Sequence, residues 1–232
     1  FEERCVDGYS ITLDGNEQYK DPRQLIELLD RLSREASTRP FCERILFIEQ
    51  PLSRETALSC DQETGLRELA GSRPIIIDES DATIKSLPTA LDLGYAGTSH
   101  KNCKGIFKGV ANACLLNTRR ETGHTSVMSG EDLCNVGPVA VIQDLAVMAT
   151  LGIESVERNG HHYMAGLSQF PEATQKQVLD SHTGLYRISE RGWPTLDIRD
   201  GQIDLTSVNS QPFGTGFELN LSPFGEISLV EE

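Results

Sequence analysis

The feature that most constrains the fold is a repeated pair: a short apolar run that stops at a carboxylate, followed by an amphipathic stretch. Residues 10–13 stop at Asp14, 45–48 at Glu49 and 74–77 at Asp78. Short apolar runs suit buried strands, and the stretches between them suit helices that cover the strands. In the first unit Asp21 supplies an N-cap and Pro22 the first helical position, ahead of Leu25, Leu28, Leu29 and Leu32 at helical spacing. Further helices are predicted around 62–70 and 88–93. A fourth unit runs from 96–99 into a helix around 106–116. A fifth runs from 125–128 into a helix carrying Ile142, Leu145, Ala146 and Ala149, and a sixth strand is expected at 155–158.

Strand and helix alternating in this way build a parallel sheet of the α/β class, either doubly wound or closed as a (β/α) TIM-type barrel. Both place functional groups at the carboxyl ends of the strands. Six units are too few to close eight strands, so on the barrel reading the early strands lie upstream of Phe1 or come from elsewhere, and the true N-terminus is expected to lie outside this sequence. The barrel portion is expected over 1–187. Past Arg187 the helical pattern fades into a Gly- and Pro-rich tail, 188–232, with strand signals at 202–205 and 216–219.

The formal net charge of −14 over 232 residues excludes a nucleic-acid surface, which needs clustered Lys and Arg. No stretch approaches the roughly 18 apolar residues of a membrane span. The six cysteines show no CxxC pair or zinc spacing, which reads as free thiols in a reducing, cytoplasmic setting. Most of the acidic excess is a solvated surface. Only positioned carboxylates bear on function.

Asp14, Glu49 and Asp78 end consecutive strands, so a parallel barrel brings them to one rim. Three adjacent carboxylates repel unless neutralised, and Mg²⁺ is the natural counterion because it takes hard oxygen ligands and leaves positions open for substrate. Helix capping accounts for any one of them. Three in succession favour the cation site.

The segments TLDGNEQY, FIEQPL and IIIDES resemble the strand ends of the mandelate racemase and muconate lactonizing branch of the enolase superfamily, in order, context and spacing. The resemblance covers most of the chain and implies an incomplete enolase-superfamily barrel whose capping domain is absent. It makes Asp14, Glu49 and Asp78 the metal ligands, with Asn16 and Glu79 where the family keeps groups that orient them. SHKNCKG places Lys101 at the acid/base position of the lysine branch, and strand alternation lets only one of His100 and Lys101 face the axis. Lys104 reads either as a second substrate contact or as a solvated residue at a helix start. Glu131, beside Asp132, falls where the family often has an acid near the base. Glu157, Asn159 and His161, in SVERNGHHY, fall where related enzymes hold the distal part of the substrate; for His161 a substrate or structural role is favoured over zinc. The segment 200–220 resembles the return from barrel to capping domain.

The implied activity is a Mg²⁺-dependent isomerase or lyase that abstracts the α-proton of a small-molecule carboxylate to give a stabilised enolate. Neither nucleic acid nor membrane is a partner on this reading, and a homo-oligomer is compatible with it. Alternatives are an acid-sugar dehydratase of the same superfamily, for which His124 and His161 are available, and a metal-binding homologue without turnover. A flavodoxin-like phosphoacceptor domain leaves EQP and SHKNCKG unexplained.

Overall fold

The computed structural model describes residues 8–211 and 214–225, and for His162 only the backbone. The chain divides into two compact units, Phe1–Gly130 and Glu131–Glu232.

The first unit alternates strand and helix as expected. Its strands are β1 (Ile11–Asp14), β2 (Ile45–Glu49), β3 (Ile75–Ile77), β4 (Gly97–His100) and β5 (Val127–Glu131), the last running one residue past the boundary. They are parallel and adjacent in chain order. Between them lie α1 (Pro22–Arg34), α2 (Arg39–Glu43), α3 (Glu63–Ala70), α4 (Ser86–Leu93) and α5 (Ile106–Glu121). The Asp21 carboxylate caps α1 by accepting from the Arg23 N–H, and α4 ends on Gly94, whose φ of 112° is a left-handed conformation that suits glycine.

Strand alternation sorts the side chains. Ile48, Ile75 and Ile77 pack outward against Leu25, Leu66, Leu69, Ala90 and Leu93 of the helices, in one buried cluster. Each such burial stabilises by about 1.5–3 kcal/mol. Phe47 and Ile76 face the other way and are also buried, 3% and 0% exposed, so the second face is not a solvent surface.

That face is concave. β2 and β5 stand three strand spacings apart, about 14 Å in a flat sheet. Yet the Ser129 hydroxyl of β5 donates to Glu49 Oε2 of β2 at 3.3 Å. The sheet curls toward the side that carries these groups, as an arc of a (β/α) barrel does.

The second unit holds α6 (Ala140–Leu151), β6 (Val156–Glu157), α7 (Asn159–Tyr163), α8 (Glu172–Ser181), the antiparallel pair β7 (Tyr186–Ile188) and β8 (Pro194–Leu196), and α9 (Thr206–Asn209). Its core joins Val141, Ile142 and Leu145 to Leu167, Val178, Leu185, Leu196 and Val208. That cluster includes residues on both sides of 187. The tail differs from expectation. Residues 202–205 hold only an isolated bridge, Arg199 to Gln202, and 216–219 form no strand; the apolar residues Ile203, Leu205 and Phe217 pack on the core instead of pairing. Among the described residues no helix is long and apolar enough to cross a membrane.

A Cβ on Gly97 would lie 1.6 Å from the Val127 carbonyl oxygen of the neighbouring strand. Gly97→Ala is expected to cost at least about 3 kcal/mol, the upper part of the usual overpacking range. A chemical-denaturation curve indistinguishable from that of the parent would contradict this strand approach.

Candidate active site at the strand ends

Register decides which groups share the concave face. Asp14 pairs with Glu49, and Glu49 with Ile76; two residues beyond Ile76 is Asp78. Ile76 pairs with Gly97, and the same face of that strand continues through Ser99 to Lys101. With side chains alternating every residue, Asp14, Glu49, Asp78 and Lys101 leave on one side and His100 on the other. His100 is buried with its ring Nε2 3.1 Å from Asn102 Oδ1, and burial holds its pKa below the usual range.

Asp78, only 4% exposed, is the centre of the arrangement. Lys101 Nζ donates to its Oδ2 at 2.8 Å. Lys104 Nζ donates to its Oδ1 at 2.5 Å, to its backbone carbonyl at 2.8 Å and to the Ser99 carbonyl at 2.9 Å. Lys104 is therefore not a solvated helix-start residue: three acceptors converge where its side chain arrives.

Asn16 follows Asp14 in a left-handed turn, φ 43°, and donates to both its oxygens, from N at 2.8 Å and from Nδ2 at 3.4 Å. Partial burial nevertheless lifts the Asp14 carboxyl above its ordinary range, and the Asp78 charge pushes the same way against the Asn16 N–H and Lys101. Glu79 is lifted by burial and then by Asp78, and its Oε2 is sealed with no hydrogen-bond partner among the described residues. In both acids burial is the larger cause, and the Asp78 charge adds to it.

The donor chemistry fits Mg²⁺: the hard carboxylate oxygens of Asp14, Glu49 and Asp78 share one concave face. Among the described residues, however, no three Asp, Glu, His or Cys side chains gather closely enough to hold a metal ion. The acids share a face and a field, not a finished cage. A cleft of about 360 Å³ lined by Ile26, Leu29, Ile45 and Arg73 opens where β2 and β3 begin, at the opposite end from the acids. His124, exposed ahead of β5, also lies at that opposite end of its strand.

The second unit carries the remaining candidates. Glu131 ends β5 and Glu157 ends β6; Asn159 opens α7, and His161 Nδ1 is 3.4 Å from Thr195 Oγ1. Buried Arg158 pairs with Asp144 at 3.1 Å and stands 3.8 Å from Asp132, whose carboxylate accepts from the Cys134 and Gly160 N–H groups. Burial pushes the Asp144 carboxyl up to about 6 in spite of Arg158.

No protein-family model and no curated protein matches the chain. Several solved structures are similar to it. A muconate lactonizing enzyme from Pseudomonas putida shows 20% identity and a TM-score of 0.48 over 67% of this chain and 40% of that one. A dipeptide epimerase from Cytophaga hutchinsonii, complexed with Mg and a dipeptide, shows 17% and 0.45 over 81% and 43%. A mandelate racemase/muconate lactonizing enzyme from Roseiflexus sp. shows 23% and 0.44 over 63% and 37%. The chain thus spans about two fifths of the length of the solved proteins it matches.

Three contributors escaped the sequence reading. Gln50, fully buried at φ 32°, accepts from the Asp78 and Ser80 N–H groups through Oε1 and donates to Leu52 O and Ser80 Oγ through Nε2. One amide thus ties the end of β2 to the end of β3. Its sequence signal is its place between Glu49 and Pro51 in EQP. Gly15 lets the turn after Asp14 approach Pro51, whose Cα would stand 2.6 Å from an added Cβ. Arg54 forms a two-toothed pair with Glu17 at 2.6 and 2.9 Å, joining the loops after β1 and β2.

Gln50→Leu strands two buried N–H groups, each at about 1–3 kcal/mol. The expected outcome is a fall in unfolding free energy of a few kcal/mol by urea titration, and a loss below about 0.5 kcal/mol would contradict the role. A second expectation concerns pH. Asp144 has a folded pKa above its unfolded value, so the native state binds the extra proton between about pH 3.8 and 6. Its contribution to stability is greatest at acid pH and declines as pH rises through that window, levelling above it. Urea midpoints from pH 4 to 7 should show this decline in the parent and a flatter course in Asp144→Asn; parallel courses would contradict the raised carboxyl.

Proposed function

We propose that this chain carries the metal- and base-bearing strand ends of an enolase-superfamily active site. Asp14, Glu49 and Asp78 would hold Mg²⁺, and Lys101 moves the α-proton of a carboxylate substrate. The observation that carries the reading is the Lys101 ammonium 2.8 Å from Asp78 Oδ2, on the face and rim where the three acids leave the sheet. The motif resemblance supports it from the sequence side.

Bound Mg²⁺ would supply positive charge to a substrate carboxylate that becomes more negative as its α-proton leaves. The chain does the rest. As free amine, Lys101 Nζ takes the α-proton while the C–H electron pair moves toward the carboxylate; as ammonium, Nζ returns a proton. Asn16 orients Asp14, and Gln50 and Lys104 hold Asp78, so these side chains are restrained before substrate arrives. The reading embraces racemases and epimerases, lyases and cycloisomerases.

The test is exchange of substrate α-protons with solvent deuterium, run with Mg²⁺ over a panel of carboxylates. Lys101→Ala should lower exchange by about 10²–10⁴-fold, the usual span of general acid–base catalysis, with Mg²⁺ binding retained. Glu49→Gln should lose exchange and Mg²⁺ binding together. Exchange by Lys101→Ala at the parent rate would defeat the assignment. A second reading, a homologue without turnover, draws on the pairing of Asp78 with two lysines; it gains if the parent exchanges no member of the panel.

A further inference from the structure

Behind the strand ends, on the face opposite the acids, lies a second buried charge cluster. Asp81, 2% exposed, ends the turn that begins at Asp78, and its N–H donates to the Asp78 carbonyl at 2.9 Å. Its carboxylate accepts from Thr98 Oγ1 of β4 at 3.0 Å and from Asn112 Nδ2 of α5 at 3.1 Å. Lys108 of α5, its side chain 11% exposed, pairs with Asp81 Oδ1 at 3.1 Å and also donates to the Asp81 backbone carbonyl. His100 faces the same cluster from β4.

The turn 78–81 is thus held from two sides. In front, Lys101 and Lys104 engage Asp78; behind, Lys108 engages Asp81. Lys108 touches none of the acids assigned to the cation. Its ammonium bonds a backbone carbonyl as well as a carboxylate, so it constrains main chain and not only charge. A buried ion pair is weak evidence for stability, because desolvation offsets most of the attraction. Fixing geometry is the role such a pair can fill.

We infer that Lys108 and Asp81 are positioning residues for the site, anchoring the turn 78–81 to α5 so that Asp78 is presented to the cation in one orientation. This rests on the Mg²⁺ reading above and names residues outside its ligand set. Partners that orient ligands in this way typically govern about 10–100-fold in metal affinity.

Removing one charge alone strands the other in the interior, so the informative variant is the double neutral replacement Asp81→Asn with Lys108→Met, set beside Lys108→Arg. Two quantities are read on the whole protein: Mg²⁺ affinity by calorimetry, and amide hydrogen exchange of the peptide spanning 76–84, with the peptide spanning 63–70 as internal reference. The double variant should bind Mg²⁺ about tenfold more weakly, show faster exchange in 76–84 and keep the reference unchanged; Lys108→Arg, which keeps the charge, should retain affinity to within about twofold of the parent. Unchanged exchange in 76–84 overturns the anchoring. Faster exchange there with unchanged Mg²⁺ affinity overturns the action through Asp78. Faster exchange in both peptides makes the cluster merely structural, which also overturns the inference. A parent protein that binds no Mg²⁺ overturns the cation reading and this role together, and is told apart because the failure then appears before any substitution.

Discussion

Asp78 is the charge around which the strand ends are built. A carboxylate so deeply buried would cost several kcal/mol if left alone. Two ammonium groups from the turn after β4 meet it, and Lys104 reaches its backbone carbonyl and that of Ser99 besides. The Gln50 amide meets its N–H. The position of Asp78 is therefore determined by both neighbouring strand ends, and the loops after β2, β3 and β4 depend on one another through it.

The same density of contacts explains where strain is tolerated. Asn16, Glu17 and Gln50 all hold left-handed backbone conformations that cost non-glycine residues about 1–3 kcal/mol each. Each is tied down: Asn16 to Asp14, Glu17 to Arg54 and Gln50 to Ser80. Strain concentrated in the turns after two adjacent strands marks the rim where chemistry is proposed. The opposite end of the strands carries the cleft beside Arg73 and none of the acids.

Much of this was legible in the sequence for a physical reason. An apolar run interrupted by a carboxylate is costly inside a sheet and natural at its end, so 10–13, 45–48 and 74–77 announced both strands and termini. Asp21 with Pro22 announced α1. What could not be read was the partner of a side chain. Lys104 stayed open between a substrate contact and a solvated helix-start lysine because nothing local distinguishes a solvated ammonium from one surrounded by acceptors 5 and 26 residues away. The strand signals at 202–205 and 216–219 misled because short apolar residues pack as readily on a core as in a ladder.

The sequence by itself determined the order of strands and helices and the carboxylates at three strand ends, because these follow from local hydrophobic pattern; strand alternation said only that one of His100 and Lys101 faces the axis, and the register of β3 with β4 puts Lys101 on the side of the acids. Only the tertiary structure decided how the charges are balanced: that Asp78 is shared by two lysines, that Gln50 stitches β2 to β3, that Ser129 reaches Glu49 across a curled sheet, and that Lys108 grips Asp81 from behind. Those are contacts between residues far apart in the chain, set by register and curvature, which local pattern does not encode.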